Sequence, residues 1–516
     1  MHTTLRRVAA LAVGSALALT GLVHSPAQAD ATPSGTAATT WLTGELTGGL
    51  MHNPNFGGFD DYGLSVDTGF AELGTGSTAV ATQIRDAVAT HINDYITGEG
   101  FGDPGSTYAG PTAKALAYAQ ASGGTPTSFG GVNLVTRLES VVGAGGRIAD
   151  VSTFGDNANT IGQSFAARAL TTAGSARTAD VTAFLLKQQC PAGFFRLDLG
   201  DTQCAANTDP DTDVTAFVIL NLQNQVKNPA VAAALQRAVS WLVAAQGADG
   251  SFGGGDPTTA APNTNSTGLA AAALGQSCVL DRAYRAAAYV RGFQVPVGQT
   301  GPLAPEVGAI AYDSAARAAG RAGGITDATS DQWRRATAQA APGLAWDPAA
   351  QPTVSLTAPR YARAGGKVRL KVTGAAAGER VCLTGTEATQ VLTGTGTAMF
   401  TRVAVSRAAT KLKVSATTGP GADKVRVKVL HKLRLRPHVV KVIHRGDRQI
   451  IRIPGLAKKE QVRVLLGGKR IAKGLASRKG VFVARFKVGL KPGSYRITVL
   501  GQFANRKGFA SFRVLR

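Results

Sequence analysis

Arg237-Ala-Val-Ser-Trp241-Leu-Val-Ala-Ala-Gln246-Gly-Ala-Asp-Gly250-Ser-Phe252 is the stretch on which the fold turns. It closes a segment, Ala230–Gln246, whose apolar residues recur at helical spacing. The same offsets return in Arg285-Ala286, Tyr289-Val290, Gln294 and Gly298. One unit earlier they are carried by Phe184-Leu185, Gln189, Gly193 and Phe195. Self-similarity at a fixed period is the mark of a repeat architecture.

A second helix recurs beside the first, opening on small residues behind a Thr or Ser. Its instances are Thr68-Gly-Phe-Ala, Thr112-Ala-Lys-Ala, Ser164-Phe-Ala-Ala, Thr215-Ala-Phe-Val and Thr267-Gly-Leu-Ala, at spacings of 44, 52, 51 and 52 residues. Most follow Asp or Asn (Asp67, Asn159, Asp211 with Asp213, Asn263 with Asn265), side chains that accept hydrogen bonds from the free N–H groups of a starting helix. A sixth, less regular copy is expected around Gly308 to Ala322. Six helix pairs then span residues 38–347. The run Leu269-Ala-Ala-Ala-Ala-Leu274 is the extreme of a small-residue composition that favours helix and lets backbones approach closely. That suits an inner ring of tightly packed helices with the bulkier helices outside.

The segment ending in Gln246, Gly250 and Phe252 resembles the QW repeat of squalene cyclases and protein prenyltransferases, with Phe252 in place of the final Trp. In that superfamily such units close into an α/α toroid, and the motif ties one helix end to the next turn. The resemblance covers about 300 residues and implies the fold class: an all-α toroid of about six helix pairs. It does not imply one activity, because the same toroid serves cyclases, prenyltransferase subunits, complement-type domains and cobalamin carriers.

Outside the repeat, charge divides the chain. Among its 516 residues, 30–350 carry 17 Lys and Arg against 27 Asp and Glu, a net of −10. Residues 351–516 carry 36 against 5, a net of +31. The overall charge of +23 therefore averages an acidic body with a very basic remainder. With 44% hydrophobic and 17% charged residues, a wholly disordered chain is excluded. Arg6, Arg7, the apolar stretch Val8–Val23 and the small-residue site Ala27-Gln28-Ala29 read as a signal peptide over residues 1–29, with a mature start at Asp30. No later apolar run reaches the length of a membrane span. Export, with release or retention at the cell wall, is the expectation.

Beyond Pro348 the pattern changes to period two. Lys367–Val372, Lys411–Val414 and Lys424–Val429 alternate charge with aliphatic residues, as half-buried strands do. Turn signals divide the region into two blocks, 352–430 and 431–516, each with the strand count of an immunoglobulin-like sandwich. Their positive field favours polyanions. For an exported chain without an RNA-type aromatic signature, nucleic acid is not the expected partner. Anionic cell-wall polymers or lipid head groups are, through residues 351–516.

Candidate chemistry is sparse. Cys190 and Cys204 bracket a short loop and are expected to form a disulfide in an oxidising compartment. Cys278 and Cys382 either staple the helical and β regions together or remain buried thiols. Asp211-Thr-Asp213-Val-Thr-Ala216 resembles the Asp-x-Asp-Asp-Thr-Ala signature of class II terpene cyclases, which implies an acid role for Asp213, but Val214 replaces the family's next Asp. The competing reading makes Asp211 and Asp213 helix caps, as Asn263 and Asn265 are one repeat later. Asp209, Asp211 and Asp213 also open like a calcium loop, yet Val214 and Leu220 occupy the positions that need Gly and Glu. No cofactor or zinc set is expected: His52 and His91 lie far from any Cys. The favoured function is a non-catalytic envelope protein whose toroid takes a small hydrophobic ligand or a protein partner. A secreted cyclase-like enzyme and a bare structural scaffold are the alternatives.

Overall fold

A computed structural model describes residues 34–255, 259–347, 354–375, 380–385, 390–418 and 422–516. The expected leader, residues 1–29, lies outside them. The helices in chain order are α1 (Ser34–Gly44), α2 (Tyr62–Thr75), α3 (Thr78–Thr90), α4 (Ile92–Ile96), α5 (Ala109–Ala121), α6 (Leu134–Ser140) and α7 (Thr160–Ala173). They continue as α8 (Thr178–Lys187), α9 (Thr212–Asn221), α10 (Pro229–Ala245), α11 (Thr264–Gln276), α12 (Leu280–Phe293), α13 (Ser314–Gly323) and α14 (Asp327–Ala340).

Six of these, α2, α5, α7, α9, α11 and α14, pack side by side in that order, and α14 returns to α2, closing a ring. Helices α3, α6, α8, α10 and α12 each back the inner helix that precedes them, while α1 backs α14. The sixth pair is thus assembled from the two ends of the helical region. Small side chains permit the tight ring: every residue from Thr267 to Gly275 in α11 is buried. A Cβ on Gly268 would stand 2.3 Å from the Ala340 Cα.

The corners explain the repeat motif. Gln189 Nε2 donates to the carbonyls of Gly193 and Ala234, both at 2.8 Å. Gln246 does the same to Gly250 and Arg282 (3.1 and 2.9 Å), and Gln294 to Gly308 and Ser34 (3.1 and 2.9 Å). Each glutamine ties its own turn to the next outer helix. Gly250 and Gly308 have φ of 96° and 102°, and a Cβ there would stand 2.5 and 2.1 Å from the Arg285 and Ala37 carbonyl oxygens. Only glycine lets the turn lie on the helix. At Gly308 that helix is α1, so this tie seals the ring. Just beyond each turn, the N–H groups of Phe195, Phe252 and Ile310 donate to the hydroxyls of Thr215, Thr267 and Thr337.

Three expectations are corrected here. Gln294 finds its glycine at Gly308, not Gly298, because an inserted loop with a short 3-10 turn at Gly301–Leu303 delays the corner. The sixth copy is not Gly308–Ala322: α13 buries only Gly320, whereas α14 buries Trp333 and carries the repeat hydroxyl Thr337. Asp67 lies inside α2 rather than capping it; Asp61 is the cap, accepting from the Leu64 N–H.

The β region forms two immunoglobulin-like sandwiches. In the first, a sheet ordered Gln390–Thr393, Arg380–Thr384, Lys411–Thr417, Ala422–Leu430, Tyr361–Arg363 faces one ordered Met399–Ala404, Lys367–Thr373, Ser355–Thr357. In the second, Leu433–Leu435, Arg506–Leu515, Gly493–Leu500, Gln461–Leu466 and Lys469–Leu475 are consecutive, with Val442–His444 also on Arg506–Leu515. They face His438–Val439, Arg448–Ile453 and Phe482–Lys487. Strand Lys367–Thr373 alternates exposed and buried residues, the pattern of one wet face. Each sandwich has its own core, around Leu370 and Val414 in the first and Ile451 and Val464 in the second.

The modules are joined by specific contacts. A disulfide links Cys278, just past α11, to Cys382 in the strand Arg380–Thr384, and Cys382 packs against the core of the helical region. Between the sandwiches, the Tyr361 hydroxyl donates to the Lys458 carbonyl, and Tyr361 and Leu430 pack on Ala457. Within the second, Arg506 forks onto Glu460 (2.6 and 2.8 Å) and donates to the His431 carbonyl at 3.1 Å. Among the described residues no helix is long and apolar enough to cross a membrane.

Candidate ligand cavity

The ring encloses a cavity of about 740 Å³ to which all six inner helices contribute. Small-molecule sites are usually roughly 300–1,000 Å³. One side is an aromatic wall drawn from three repeats. Phe70 stacks on Phe165 with centroids 6.0 Å apart, and Phe165 tilts against Phe217 at 5.8 Å. Tyr118 meets the edge of Phe70 at 5.2 Å and anchors its hydroxyl on the Ala81 carbonyl at 2.6 Å. Phe70, Phe217, Leu269 and Gln339 all line the cavity. Phe217, Leu269 and Gln339 each stand two positions after a corner hydroxyl (Thr215, Thr267, Thr337), so that position faces the ring axis. In α2 that hydroxyl is Ser65, not Thr68, accepting from the Met51 N–H at 2.8 Å with Asp67 two positions on. This offset is the signal that would have located the lining in the sequence.

Two ionisable side chains reach the lining. Asp67 is engaged by Lys114, whose Nζ lies 2.7 Å away and also donates to the Gly63 carbonyl. Arg168, from the middle of α7, pairs with no carboxylate among the described residues. Its Nη1 donates to Asn221 Oδ1 at 3.3 Å, and its guanidinium lies 5.4 Å from the Phe70 ring centroid. Burial lowers its pKa, yet a guanidinium remains charged at any physiological pH. Asn221, Asn224 and Gln276, at and just beyond the C-terminal ends of α9 and α11, add amide groups to the lining.

The candidate acids lie elsewhere. Asp211 caps α9, its Oδ1 accepting from the N–H groups of Asp213 (2.8 Å) and Val214 (3.0 Å), as Asn263 does from Ser266 at 2.9 Å. Burial raises the Asp211 pKa. Asp213 is not a cap. Its Oδ1 is buried without a hydrogen-bond partner, and burial, with repulsion from Asp211 added, pushes its pKa up to about 7. Asp213 stands one turn before Phe217 on the same face of α9 but is not part of the cavity lining. Protonating an alkene requires an unusually strong acid, and burial makes this carboxyl a weaker one. Asp209 is exposed. Among the described residues no three His, Cys, Asp or Glu side chains converge as metal ligands would.

The remaining motif residues are structural. Cys190–Cys204 and Cys278–Cys382 are both disulfides. Trp241 packs on Phe194 at 5.5 Å and against the first bridge, and Tyr289 on Phe293 at 4.9 Å. On the first sandwich, cations face cations across the strands: Lys411 opposite Lys428, Lys413 opposite Arg426, and Arg369 opposite Arg402. All six are exposed.

No family model matches the chain, and no curated protein matches it. Among solved structures, the helical region is similar to a variant of the type II terpene cyclase MstE from Scytonema in complex with its product, merosterolic acid A. The two are 16% identical over 60% of this chain and 95% of that one, with a TM-score of 0.43. A novel alpha-amylase from Clostridium perfringens is 12% identical over 60% of this chain and 97% of its own, with a TM-score of 0.41. The human OSCAR ligand-binding domain is 12% identical over 32% of this chain and 95% of its own, with a TM-score of 0.20. The ring, its outer helices and the glutamine ties make the helical region a terpenoid cyclase-like α/α toroid on the chain's own geometry.

Proposed function

We propose that the chain is an exported, non-catalytic ligand holder kept at the cell surface by its basic sandwiches. The observation that carries this reading is the closed ring around an aromatic-walled cavity. Two disulfides suit an oxidising compartment. Like charges placed directly opposite across strands destabilise a sheet unless a partner neutralises them, which supports an anionic wall polymer or lipid surface as that partner.

Native followed by denaturing mass spectrometry of the secreted chain tests the first half. A stoichiometric mass released on denaturation is the expected result, and its absence favours the bare scaffold. Retention on cell walls tests the second half and should fall steeply with salt. Retention that survives molar salt would defeat the electrostatic attachment.

A further inference from the structure

We infer that the ring cavity is selective for an amphiphile with an apolar body and an anionic head, carboxylate or phosphate, and that Arg168 is the head-group ligand. The inference rests on the reading of the ring as a ligand holder and adds the chemical class of the ligand.

Charge inside the ring does not balance. Of the two ionisable side chains in the lining, Asp67 is neutralised by Lys114. Arg168 has only one amide oxygen and the face of a phenyl ring. Arg168 is half-buried, and a cation largely withdrawn from water without a counter-charge is costly; it persists in structures where something else supplies the anion. No carboxylate among the described residues supplies it, and the C-terminal end of α9 at Asn221 offers only a partial charge. Arg168 lies five residues before the end of α7, and the dipole effect fades within the last turn. A guanidinium presents a planar fork matched to carboxylate and phosphate oxygens. Asn221 holds that fork, and Asn224 Nδ2 donates to the Arg168 carbonyl at 3.3 Å.

The surroundings settle where the rest of the ligand lies. Phe70, Phe165 and Phe217 form one continuous apolar wall beside Arg168, and Leu269 lines the same cavity from α11. A head group on Arg168 therefore places an attached chain along the rings. A neutral hydrocarbon would fill the same wall and leave the guanidinium unpaired. The pairing is what confers selectivity.

The test is calorimetric titration of the full mature chain with dodecanoate and, separately, dodecanol, below their aggregation limits. Salt at about 0.5 M suppresses loose binding to the basic sandwiches. The expected result is one site per chain for both, with dodecanoate tighter by about tenfold or more, the worth of a charge-assisted bond. In Arg168→Met the acid should fall to the affinity of the alcohol while the alcohol is unaffected. Equal affinities in the wild-type chain would overturn the role of Arg168 and leave the ring a ligand holder. Saturable binding of neither probe would overturn both. The wild-type comparison requires no variant, so a misfolded Arg168→Met chain does not shield the inference.

Discussion

The helical ring and the two sandwiches treat charge in opposite ways. In the ring, several cations are matched: Lys114 with Asp67, Arg147 with Asp156, Arg334 with Glu45, and Arg335 with both Asp61 and Asp331. Arg168 pairs with no carboxylate among the described residues, and it faces the cavity. In the sandwiches the ion pairs among the described residues are Arg506 with Glu460 and a long contact of His444 with Asp447. Charge in the ring partly serves the fold, whereas the described cations of the sandwiches mostly face solvent without a carboxylate partner. Experiments that separate these uses can be ordered by size.

The largest effect concerns the joint. Removing the Cys278–Cys382 bridge as a double Ser variant should cost about 4–5 kcal/mol, since it closes a loop of about 100 residues. Removing Cys190–Cys204, with its shorter loop, should cost about 3 kcal/mol. Differential scanning calorimetry would also show whether ring and sandwiches then melt apart. Next comes the buried ion pair of the second sandwich. Arg506→Ala leaves Glu460 buried and unpaired, and chemical denaturation should register a loss of about 3–5 kcal/mol. A small loss would mean that this pair, too, is surplus charge.

Asp213 is the ring's own exception. Its folded pKa of about 7 exceeds the ordinary 3.8, so between those values the folded state holds the extra proton. Stability from this group is full below about pH 4 and is lost as pH rises through 7. Asp213→Asn should flatten that dependence and stabilise the chain at pH 8 by up to about 4 kcal/mol. A variant that instead abolished turnover of a polyprene substrate, with folding intact, would make the ring catalytic. Asp211→Ala should remove the α9 cap for about 1 kcal/mol, read by the same melts.

The smallest effect on stability carries the most information about attachment. Lys411→Gln, Lys413→Gln, Arg426→Gln and Lys428→Gln together should leave the melt unchanged or raise it by a few tenths of a kcal/mol per opposed pair. Wall binding should weaken, and its salt dependence should flatten. Unchanged binding would place the partner on another face.

Much of the architecture was legible because the repeat writes it locally. The glutamine lies four residues from its glycine and the hydroxyl fifteen from the N–H it accepts, as at Gln246, Gly250, Phe252 and Thr267. Legibility failed where sequence distance changed but geometry did not. The loop before Gly308 and the extra helix α13 pushed the sixth hydroxyl out to Thr337, 70 residues after Thr267. The alanine-rich α13 imitates an inner helix in composition while burying almost none of its surface. The cavity was illegible for another reason. Phe70, Phe165 and Phe217 become neighbours only when the ring closes, and Arg168 is conspicuous only when its missing partner is known. Asp213 looks like a second cap in the sequence because caps and first-turn residues share composition; the hydrogen bonds of Asp211 distinguish them.

The Cys278–Cys382 bridge also decides how the molecule would answer a mechanical pull. If the sandwiches are held and the ring is dragged, tension passes from the strand at Cys382 straight into the end of α11. The intervening backbone, which includes α12, α13 and α14, is bypassed. Those 104 residues amount to about 350 Å of extended chain. The oxidised molecule cannot release that length, and the reduced one can. A single disulfide thus sets whether the protein under load behaves as a short strut or a long tether.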